Sequence, residues 1–302
     1  MMPGAIANGL IWGIMAIGVY ITYRILDIAD LTVDGSFATG GAVAAMLITV
    51  GKWNAYAALI AAFGAGVVAG LVTGLFHTKM GIPAILAGIL TQLALYSINL
   101  RIMGNKSNVS VSTRNYRLVL ASMQVKKLVF DNPILVLIIL TALVIGVLYF
   151  FFGTEYGCAL RAIGANGQMA SAQGINVNTG KVVGLAVSNG LVALSGALLT
   201  QYQGTADVGQ GKGAIVIGLA AVIIGEVIFS KVFHNFALKL FAVALGSVIY
   251  YLVIQVVLWL GLNTNDMKMI TAIVVAVFLA VPYWQKKFKG SSRLRKEAKG
   301  RA

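Results

Sequence analysis

Few side chains in this sequence could carry out covalent chemistry. The chain of 302 residues contains one cysteine, Cys158, and two histidines, His77 and His234. These cannot form a disulfide framework or a metal centre built from several His or Cys ligands. No histidine lies near Cys158 in sequence to activate it, and no Ser/His/Asp set can be assembled. We therefore expect a protein that is not an enzyme and that binds no cofactor itself.

A glycine-rich string at residues 204–213 fails as a phosphate-binding loop. Such a loop reads G-x-x-x-x-G-K-[ST], in which backbone amides hold the phosphates and the lysine contacts the terminal ones. Here Lys212 comes three positions after Gly209, and no Ser or Thr follows it. The string instead predicts a glycine-rich turn or a re-entrant segment between two spans.

Acidic side chains are candidates for function in so apolar a chain. On a helix, the spacing of Asp27, Asp30 and Asp34 would place all three on one face. We favour an interfacial loop for Asp27 and Asp30, with Arg24 as partner, because water at the interface removes the cost of their charge. Asp34, which is followed closely by Ser36, either caps the next span or belongs to a pathway site.

Polar residues within the apolar stretches are further candidates. Glu226 could act as a gate or a proton-sensitive group, or it could simply reach the nearby interface. Thr91, Gln92 and Asn99 could hydrogen-bond a polar solute, or they could hold helices together. The candidates for a transport pathway are therefore Asp34, Ser36, Gln92, Asn99 and Glu226.

The composition around these residues is that of a membrane protein. The chain is 59% hydrophobic and 11% charged, whereas soluble domains are about 25% charged. A bilayer-spanning helix takes about 20 apolar residues. Uncharged stretches of this kind are Met2–Tyr23, Gly35–Gly51, Trp53–Thr78, Met80–Leu100, Asn132–Thr154, Val182–Ala206, Leu240–Asn265 and Met269–Gln285. Gly213–Ser230, interrupted by Glu226, is a further candidate. We predict an all-α polytopic bundle of about eight or nine spans, with possible re-entrant or broken segments.

Glycines spaced four residues apart predict tight packing between these helices. Gly66, Gly70 and Gly74 form one such ladder, and Gly9 and Gly13 form a shorter one. Small residues at this spacing let helix backbones approach closely.

The placement of Lys and Arg predicts the orientation. The net charge is +14, and a basic tail occupies residues 286–302. Because basic loops collect on the cytoplasmic side, we place the C-terminus there and the N-terminus outside. The basic loop 101–131 falls outside and disagrees with this rule. It either meets an acidic receptor face or is a solvated loop with a short helix around 118–129.

The stretch 162–180 is uncharged, but it is not a membrane span. It is rich in amide and hydroxyl side chains, which are costly to bury in lipid. Together with the residues just before it, it joins two long spans on the predicted cytoplasmic side. A short amphipathic helix there could fit a groove on a soluble partner, or the region could be an ordinary loop.

This region resembles the cytoplasmic coupling segment of ATP-binding cassette importer permeases, in particular the branched-chain amino acid permease group. The residues that carry the resemblance are Glu155, Tyr156, Gly157, Leu160, Arg161, Ala162, Gly164, Asn166, Ala170, Ala172, Gly174 and Ile175. The similarity continues through 182–203 and 218–225, and 26–37 resembles the segment that opens the central second span. More narrowly, the chain is similar to permeases that work with lipoprotein receptors, some of which take up aromatic amino acids.

The resemblance implies a permease subunit in the bacterial cytoplasmic (inner) membrane that forms the pathway for a small polar solute, with an amino acid as first choice. It implies a second permease subunit, expected to be an identical copy, two separate ATP-binding subunits that hold ATP and Mg²⁺, and an extracellular substrate-binding lipoprotein. The permease domain would cover 1–285, with 153–181 as coupling segment. The implied ATPase-coupling residues are Glu155, Gly157, Arg161, Ala162, Gly164 and Gly174.

An ion-coupled secondary transporter acting without an ATPase is the alternative. It predicts internal repeats and buried ion-binding carboxylates. The sequence shows no clear repeat, and its acidic residues lie near the ends of the predicted spans. A membrane assembly protein without a transport cycle is a third class, but it would not need the glycine-rich coupling segment.

Overall fold

The structure is a computed structural model that describes residues 2–111, 118–120, 132–229, 233 and 235–259, together with 269, 271–273, 275–277 and 280. Most of these residues are helical. Three expected features lie wholly or largely outside the described residues: the tail at 286–302, the helix at 118–129 and the last expected span.

The chain begins with helix α1 (Met2–Tyr20), which continues into a π-helical turn (Ile21–Ile25). The other long helices are α2 (Thr32–Thr49), α3 (Ala55–Thr78), α4 (Ala84–Ile102), α5 (Pro133–Gly153), α8 (Val177–Gln203) and α10 (Phe236–Trp259). The shorter helices are α6 (Glu155–Ala165), α7 (Gly167–Ala172) and α9 (Ala214–Phe229). Strand β1 (Asn108–Ser110) pairs antiparallel with β2 (Thr205–Asp207).

Six of the described helices are long and apolar enough to cross a membrane: α1 with its π-helical turn, α3, α4, α5, α8 and α10. Helix α5 shows why. Its 21 residues carry no charged side chain, and large apolar residues such as Phe150 are exposed on its surface. Such a surface is stable where lipid takes the place of water. The predicted all-α polytopic bundle is confirmed.

Helix α8 forms the centre of the bundle and packs against α1, α2 and α3. The predicted glycine ladder of α3 lies on this contact. A Cβ atom added at Gly74 would lie 2.8 Å from the Cα of Val182, and one at Gly66 or Gly70 would overlap backbone carbonyl groups of α8. The two helices can therefore approach this closely only because the ladder has no side chains.

The shorter glycine ladder joins α1 to α10. A Cβ atom at Gly9 would lie 2.7 Å from the Cα of Val248, and one at Gly13 would lie 3.2 Å from the Cα of Ala244. Both predicted ladders are thus helix-packing surfaces. A side chain at either position would push the helices apart.

We name the two ends of the bundle after the elements that lie there. At the coupling end, the last residues of α1 and α3 meet the start of α8 and the short helices α6 and α7. There His77 Nε2 of α3 lies 3.4 Å from Lys181 Nζ of α8. At the sheet end, Gln201 Nε2 of α8 donates to the carbonyl of Ala55 at 3.3 Å, close to the strands.

The sheet end contains a feature that the sequence did not predict. Strand β1 lies within the basic loop 101–131 and pairs with β2, which directly follows α8. The pairing holds the described part of this loop over the end of α8. Three-residue strands are too short to show the alternation by which strands are recognised in a sequence.

Helix α9 is shorter than a full span. Its 16 residues give a length of about 24 Å at about 1.5 Å per residue, against a hydrocarbon core of about 30 Å. Residues 208–213 fold back from the sheet end between α2 and α8. Gly211 lies against the backbone of Asp34 in α2, and Gln210 Oε1 accepts a hydrogen bond from Thr200 Oγ1 of α8 at 3.3 Å. The glycine-rich string thus forms turns that fold back against the bundle, which agrees with both expected interpretations, and the described helix that follows it spans about four-fifths of the hydrocarbon thickness.

Candidate functional site

Helix α6 lies flat against the coupling end of the bundle through one apolar face. Leu160 and Ile163 are buried on this face. Gly164 lies so close to the carbonyl of Ile25 that any side chain at this position would overlap it. A movement of α6 would therefore be passed directly to the end of α1.

The six expected ATPase-coupling residues do not all face outward. Glu155, Arg161, Ala162 and Gly174 are exposed, whereas Gly157 is buried against the backbone at the end of α5 and Gly164 is half-buried. Gly157 and Gly164 were expected to take part in coupling to the ATPase. In the structure the close approach that they permit is to this chain's own helices.

Arg161 ties α6 to two neighbouring helices. Its Nη2 atom donates to the carbonyl of Phe152 in the last turn of α5 at 2.8 Å. Its guanidinium carbon lies 5.7 Å from the centre of the Phe236 ring at the start of α10. A cation at the C-terminus of a helix interacts favourably with the free carbonyl groups there. Arg161 therefore positions α6 while part of its side chain remains exposed.

The chain turns sharply on either side of α7. Asn166 Oδ1 accepts from the N–H of Met169 at 3.0 Å and caps α7, and Asn176 Oδ1 accepts from the N–H of Thr179 at 3.1 Å and caps α8. Gly174 has a φ of +83°, a left-handed conformation that suits glycine. These turns leave Met169 exposed at the coupling end.

A chain of hydrogen bonds crosses the middle of the bundle. Asn189 Nδ2 of α8 donates to Asp30 Oδ2 at 2.7 Å, and Ser36 Oγ of α2 donates to Asn189 Oδ1 at 2.6 Å. Asp30 lies in the connection before α2, but it is buried, so the expected interfacial position is wrong. Burial raises the pKa of Asp30, and hydrogen bonds from Thr32 and Asn189 oppose this rise.

Arg24 pairs with Glu226, not with Asp27 or Asp30 as expected. Its Nε atom lies 2.9 Å from Glu226 Oε1. Asp27 is exposed and has a φ of +54°. The three aspartates share no helical face because the chain between the π-helical turn and α2 is not helical. Glu226 therefore lies at the coupling end, as its interfacial interpretation predicts.

Asp34 caps a helix, but not the helix in which it lies. Its Oδ2 atom accepts from the N–H of Gly213 at 2.9 Å, and its Oδ1 atom accepts from the N–H of Ile215 at 3.0 Å. These N–H groups belong to the start of α9. The expected cap of the next span is wrong, because α2 begins at Thr32 and Asp34 lies within its first turn; Asp34 caps α9 instead. One carboxylate thus fixes the point inside the bundle where α9 begins.

Three of the five pathway candidates line one cavity. This inner cavity of about 290 Å³ lies between α2, α4 and the re-entrant segment. Asn99 is buried, and neither of its amide atoms has a hydrogen-bond partner in the part of the chain that the structure describes. Such a group is costly unless a solute or water satisfies it. The cavity is lined by Asp34, Gly35, Ala38, Gln92, Leu93, Tyr96, Asn99, Val208 and Lys212.

The other two pathway candidates lie elsewhere. Ser36 is fully buried in its bond to Asn189, and Glu226 lies at the coupling end. Thr91 accepts from Thr73 Oγ1 at 2.9 Å, so it holds helices together, as one interpretation predicts.

Sequence reasoning missed three residues of this region. Tyr96 and Lys212 line the inner cavity, and Lys212 Nζ lies 5.8 Å from the centre of the Tyr96 ring. Asn189 could have been found, because it is an amide within an apolar span, like Asn99. No local signal shows that Lys212 folds back to α4.

Residues 1–281 match the family model described as the permease component of branched-chain amino acid transport systems. The chain belongs to this family. The permease is 41% identical over 276 residues to the tyrosine transport system permease protein of Clostridioides difficile, a match that covers 90% of this chain and 88% of the relative. It is 35% identical over 278 residues to an uncharacterized protein of Rickettsia prowazekii, a match that covers 91% of this chain and 95% of the relative. It is 28% identical over 213 residues to the ribose import permease of Escherichia coli, a match that covers 70% of this chain and 64% of the relative. No solved structure gives a significant match.

Family and fold together show what the chain does. It is a multi-pass membrane protein and the permease subunit of an ATP-binding cassette import system for a small solute. Systems of this family generally include ATP-binding and substrate-binding partners. A secondary transporter that works alone is therefore not supported.

Proposed function

We propose that the permease imports an amino acid across the bacterial cytoplasmic membrane, as half of a pathway formed by two copies of the chain. Two separate ATP-binding subunits would bind ATP and Mg²⁺ and drive transport, and an extracellular lipoprotein would deliver the solute. The observation that carries the choice of substrate class is the 41% identity to a tyrosine transport permease over 90% of the chain.

The coupling segment is the proposed docking surface for the ATP-binding subunits. Helices α6 and α7 lie together at one end of the bundle, joined by the capping residue Asn166. Exposed apolar side chains there include Tyr156 and Met169, with 44% and 60% of their surface accessible. Large apolar groups among exposed polar ones are typical of a protein contact surface.

The packing of α6 gives docking a route to the pathway. Ile163 of α6 lies against Gly180 near the start of α8, and Gly164 lies against Ile25 at the end of α1. Further along α8, Asn189 is hydrogen-bonded to Ser36, two residues from Asp34 in the inner cavity. Rigid helices in backbone contact transmit displacement rather than absorb it.

The inner cavity is the proposed contact point for the solute. Its volume of about 290 Å³ suits a small molecule. The ammonium group of Lys212 could bind a carboxylate, the Tyr96 ring offers an apolar or aromatic contact, and the Asn99 amide lacks a partner among the described residues. An amino acid carries groups that match each of these.

The orientation is part of the proposal. If the ATP-binding subunits dock on α6 and α7, the coupling end faces the cytoplasm and the sheet end faces outward. The basic tail at 286–302 is then placed in the cytoplasm, in agreement with the distribution of Lys and Arg.

Uptake into proteoliposomes tests the substrate. The purified permease, with its ATP-binding subunit and receptor, should accumulate radiolabelled tyrosine when ATP is enclosed, and collapse of the proton gradient should not reduce uptake. Unlabelled ribose should not compete, whereas other aromatic amino acids should. Gradient-driven uptake without ATP would overturn the proposal.

Co-purification tests the docking surface. Ala162→Arg adds bulk to the exposed side of α6 and should abolish recovery of the ATP-binding subunit. Ser107→Arg adds the same side chain at the sheet end and should leave recovery unchanged. Equal recovery with both variants would show that α6 is not the docking surface.

A further inference from the structure

A second and larger cavity lies at the coupling end. This basic cavity, of about 860 Å³, opens between the ends of α1 and α5, the helix α6 and the start of α10. The proposed solute pathway does not use it. Its lining residues are Tyr20, Arg24, Ile25, Tyr149, Phe150, Phe152, Gly153, Thr154, Arg161, Gly164, Ala165, Asn235, Phe236 and Lys239.

The polar side of the basic cavity is cationic. Arg24, Arg161 and Lys239 line it, and none of the described residues that line it carries a carboxylate, although Glu226 lines the adjoining smaller cavity together with Arg24 and Lys239. Arg24 is already paired with Glu226 nearby, and Arg161 donates to a backbone carbonyl. Lys239 is exposed and has no carboxylate partner in the part of the chain that the structure describes. The cavity therefore has positive charge left to bind an anion.

The position of Lys239 strengthens this conclusion. It lies in the first turn of α10, where the helix dipole and free N–H groups favour an anion and disfavour a cation. Asn235, at the same helix start, also lines the cavity. An anion bound there would offset both the lysine charge and the positive end of the helix.

The other side of the basic cavity is aromatic and lies at the surface of a membrane helix. Tyr149 and Phe150 of α5 have 48% and 78% of their surface exposed, and they continue the apolar face of α5. A soluble phosphate would gain nothing from these rings. The acyl chains of a lipid would cover them, and tyrosine is enriched where head groups meet the hydrocarbon.

We propose that the basic cavity binds an anionic phospholipid, with its phosphate near Lys239 and Arg161 and its acyl chains along the exposed face of α5. Basic pockets between membrane helices bind anionic head groups in this way. Because Arg161 belongs to α6, the bound lipid would also hold the coupling segment in place. This inference does not depend on which solute the permease carries.

Native mass spectrometry of the detergent-purified permease tests the proposal. After incubation with equal amounts of phosphatidylglycerol and phosphatidylcholine, the permease should retain phosphatidylglycerol preferentially. Lys239→Gln should lower its retention about fivefold, the effect of about one basic contact with an anionic lipid. Lys79→Gln is the control. It removes an exposed lysine that lies at the coupling end but outside the cavity, and it should leave the retention of phosphatidylglycerol unchanged.

Phe150→Ala separates a lipid from a free anion. Since Phe150 is largely exposed, the variant should fold normally, which an unchanged gel-filtration profile would establish. It should weaken phosphatidylglycerol binding, and millimolar inorganic phosphate should not displace the lipid. Equal retention of both lipids, full retention by Lys239→Gln, or displacement by inorganic phosphate would each overturn the proposal. So would full lipid retention by Phe150→Ala.

Discussion

Replacing Asp34 tests how the start of α9 is held in place. Its carboxylate accepts from the N–H groups of Gly213 and Ile215 at 2.9 and 3.0 Å, and both bonds are partly buried. Asp34→Ala removes the acceptor and leaves the start of α9 without its cap. Asp34→Asn removes the charge but keeps one oxygen, and Asn caps helices about as well as Asp.

The expected loss of stability follows from these two hydrogen bonds. Removing a capping side chain costs about 1 kcal/mol, with a range of about 0.5–2 kcal/mol. Leaving a buried donor unsatisfied costs about 1–3 kcal/mol. Because the cost of losing the cap already includes these donors, we expect Asp34→Ala to lower the free energy of unfolding by about 1–2 kcal/mol, and Asp34→Asn to lower it by less than half as much.

Two readouts separate the cap from a direct role of the charge in transport. Unfolding by sodium dodecyl sulfate in mixed micelles, followed by tryptophan fluorescence, gives stability, and proteoliposome uptake gives transport. If capping is the whole role, Asp34→Asn keeps both nearly intact. If the charge contacts the solute, Asp34→Asn stays stable but loses uptake. Glu155→Ala, at an exposed carboxylate in the first turn of α6, is the control for stability. Equal stability of Asp34→Ala and this control would refute the reasoning.

The remaining predictions concern packing, the inner cavity and the ion pair. Gly70→Ala should destabilise the bundle by about 1–3 kcal/mol in the same unfolding assay, because the added Cβ would meet the backbone of α8. Gly64→Ala is the control and should not destabilise the bundle, because the space around Gly64 is open. Asn99→Leu should raise the unfolding midpoint, since it removes unpartnered amide atoms, yet lower uptake if the amide contacts the solute. Arg24→Glu should lower the free energy of unfolding by under about 1 kcal/mol, as the loss of an exposed ion pair does. Adding Glu226→Arg should restore the unfolding midpoint. If the midpoint does not recover, the pair contributes nothing to stability.

The sequence predicts those parts of the fold that depend on local composition. Long apolar stretches locate the helices, and glycines four residues apart locate close packing, because both signals lie within one segment. The amides of 162–180 exclude a span for the same reason. The sequence therefore predicts where a non-spanning segment lies along the chain, but not which of the expected coupling residues face outward.

Long-range pairings could not be predicted. The partner of Asp34 is nearly 180 residues away, and that of Asn189 is about 160 residues away. Spacing within 27–34 suggested a helical face, but the chain there is extended enough for Asp30 to turn inward while Asp27 stays exposed. Which face of α6 is buried likewise depends on Ile25, which belongs to another element.

The packing of the described helices divides the bundle into two groups that meet at the inner cavity. Helices α2, α3, α4 and α8 pack on one another, and α1, α9 and α10 form a second group in which α1 also packs against α8. Hydrogen bonds from Ser188 to the carbonyl of Gly18 and from Ser195 to that of Ile11, both at 2.7 Å, join α8 to α1. Asp34 is the matching link between α2 and α9.

The inner cavity lies at this boundary, because α2 and α4 belong to the first group and Lys212 directly precedes α9 of the second. A displacement of one group against the other would change the width of the cavity more than the shape of either group. Helix α6 contacts both groups, through α8 on one side and the end of α1 on the other. A force on α6 would therefore act on both groups, which are joined by Asp34 as well as by the bonds of Ser188 and Ser195.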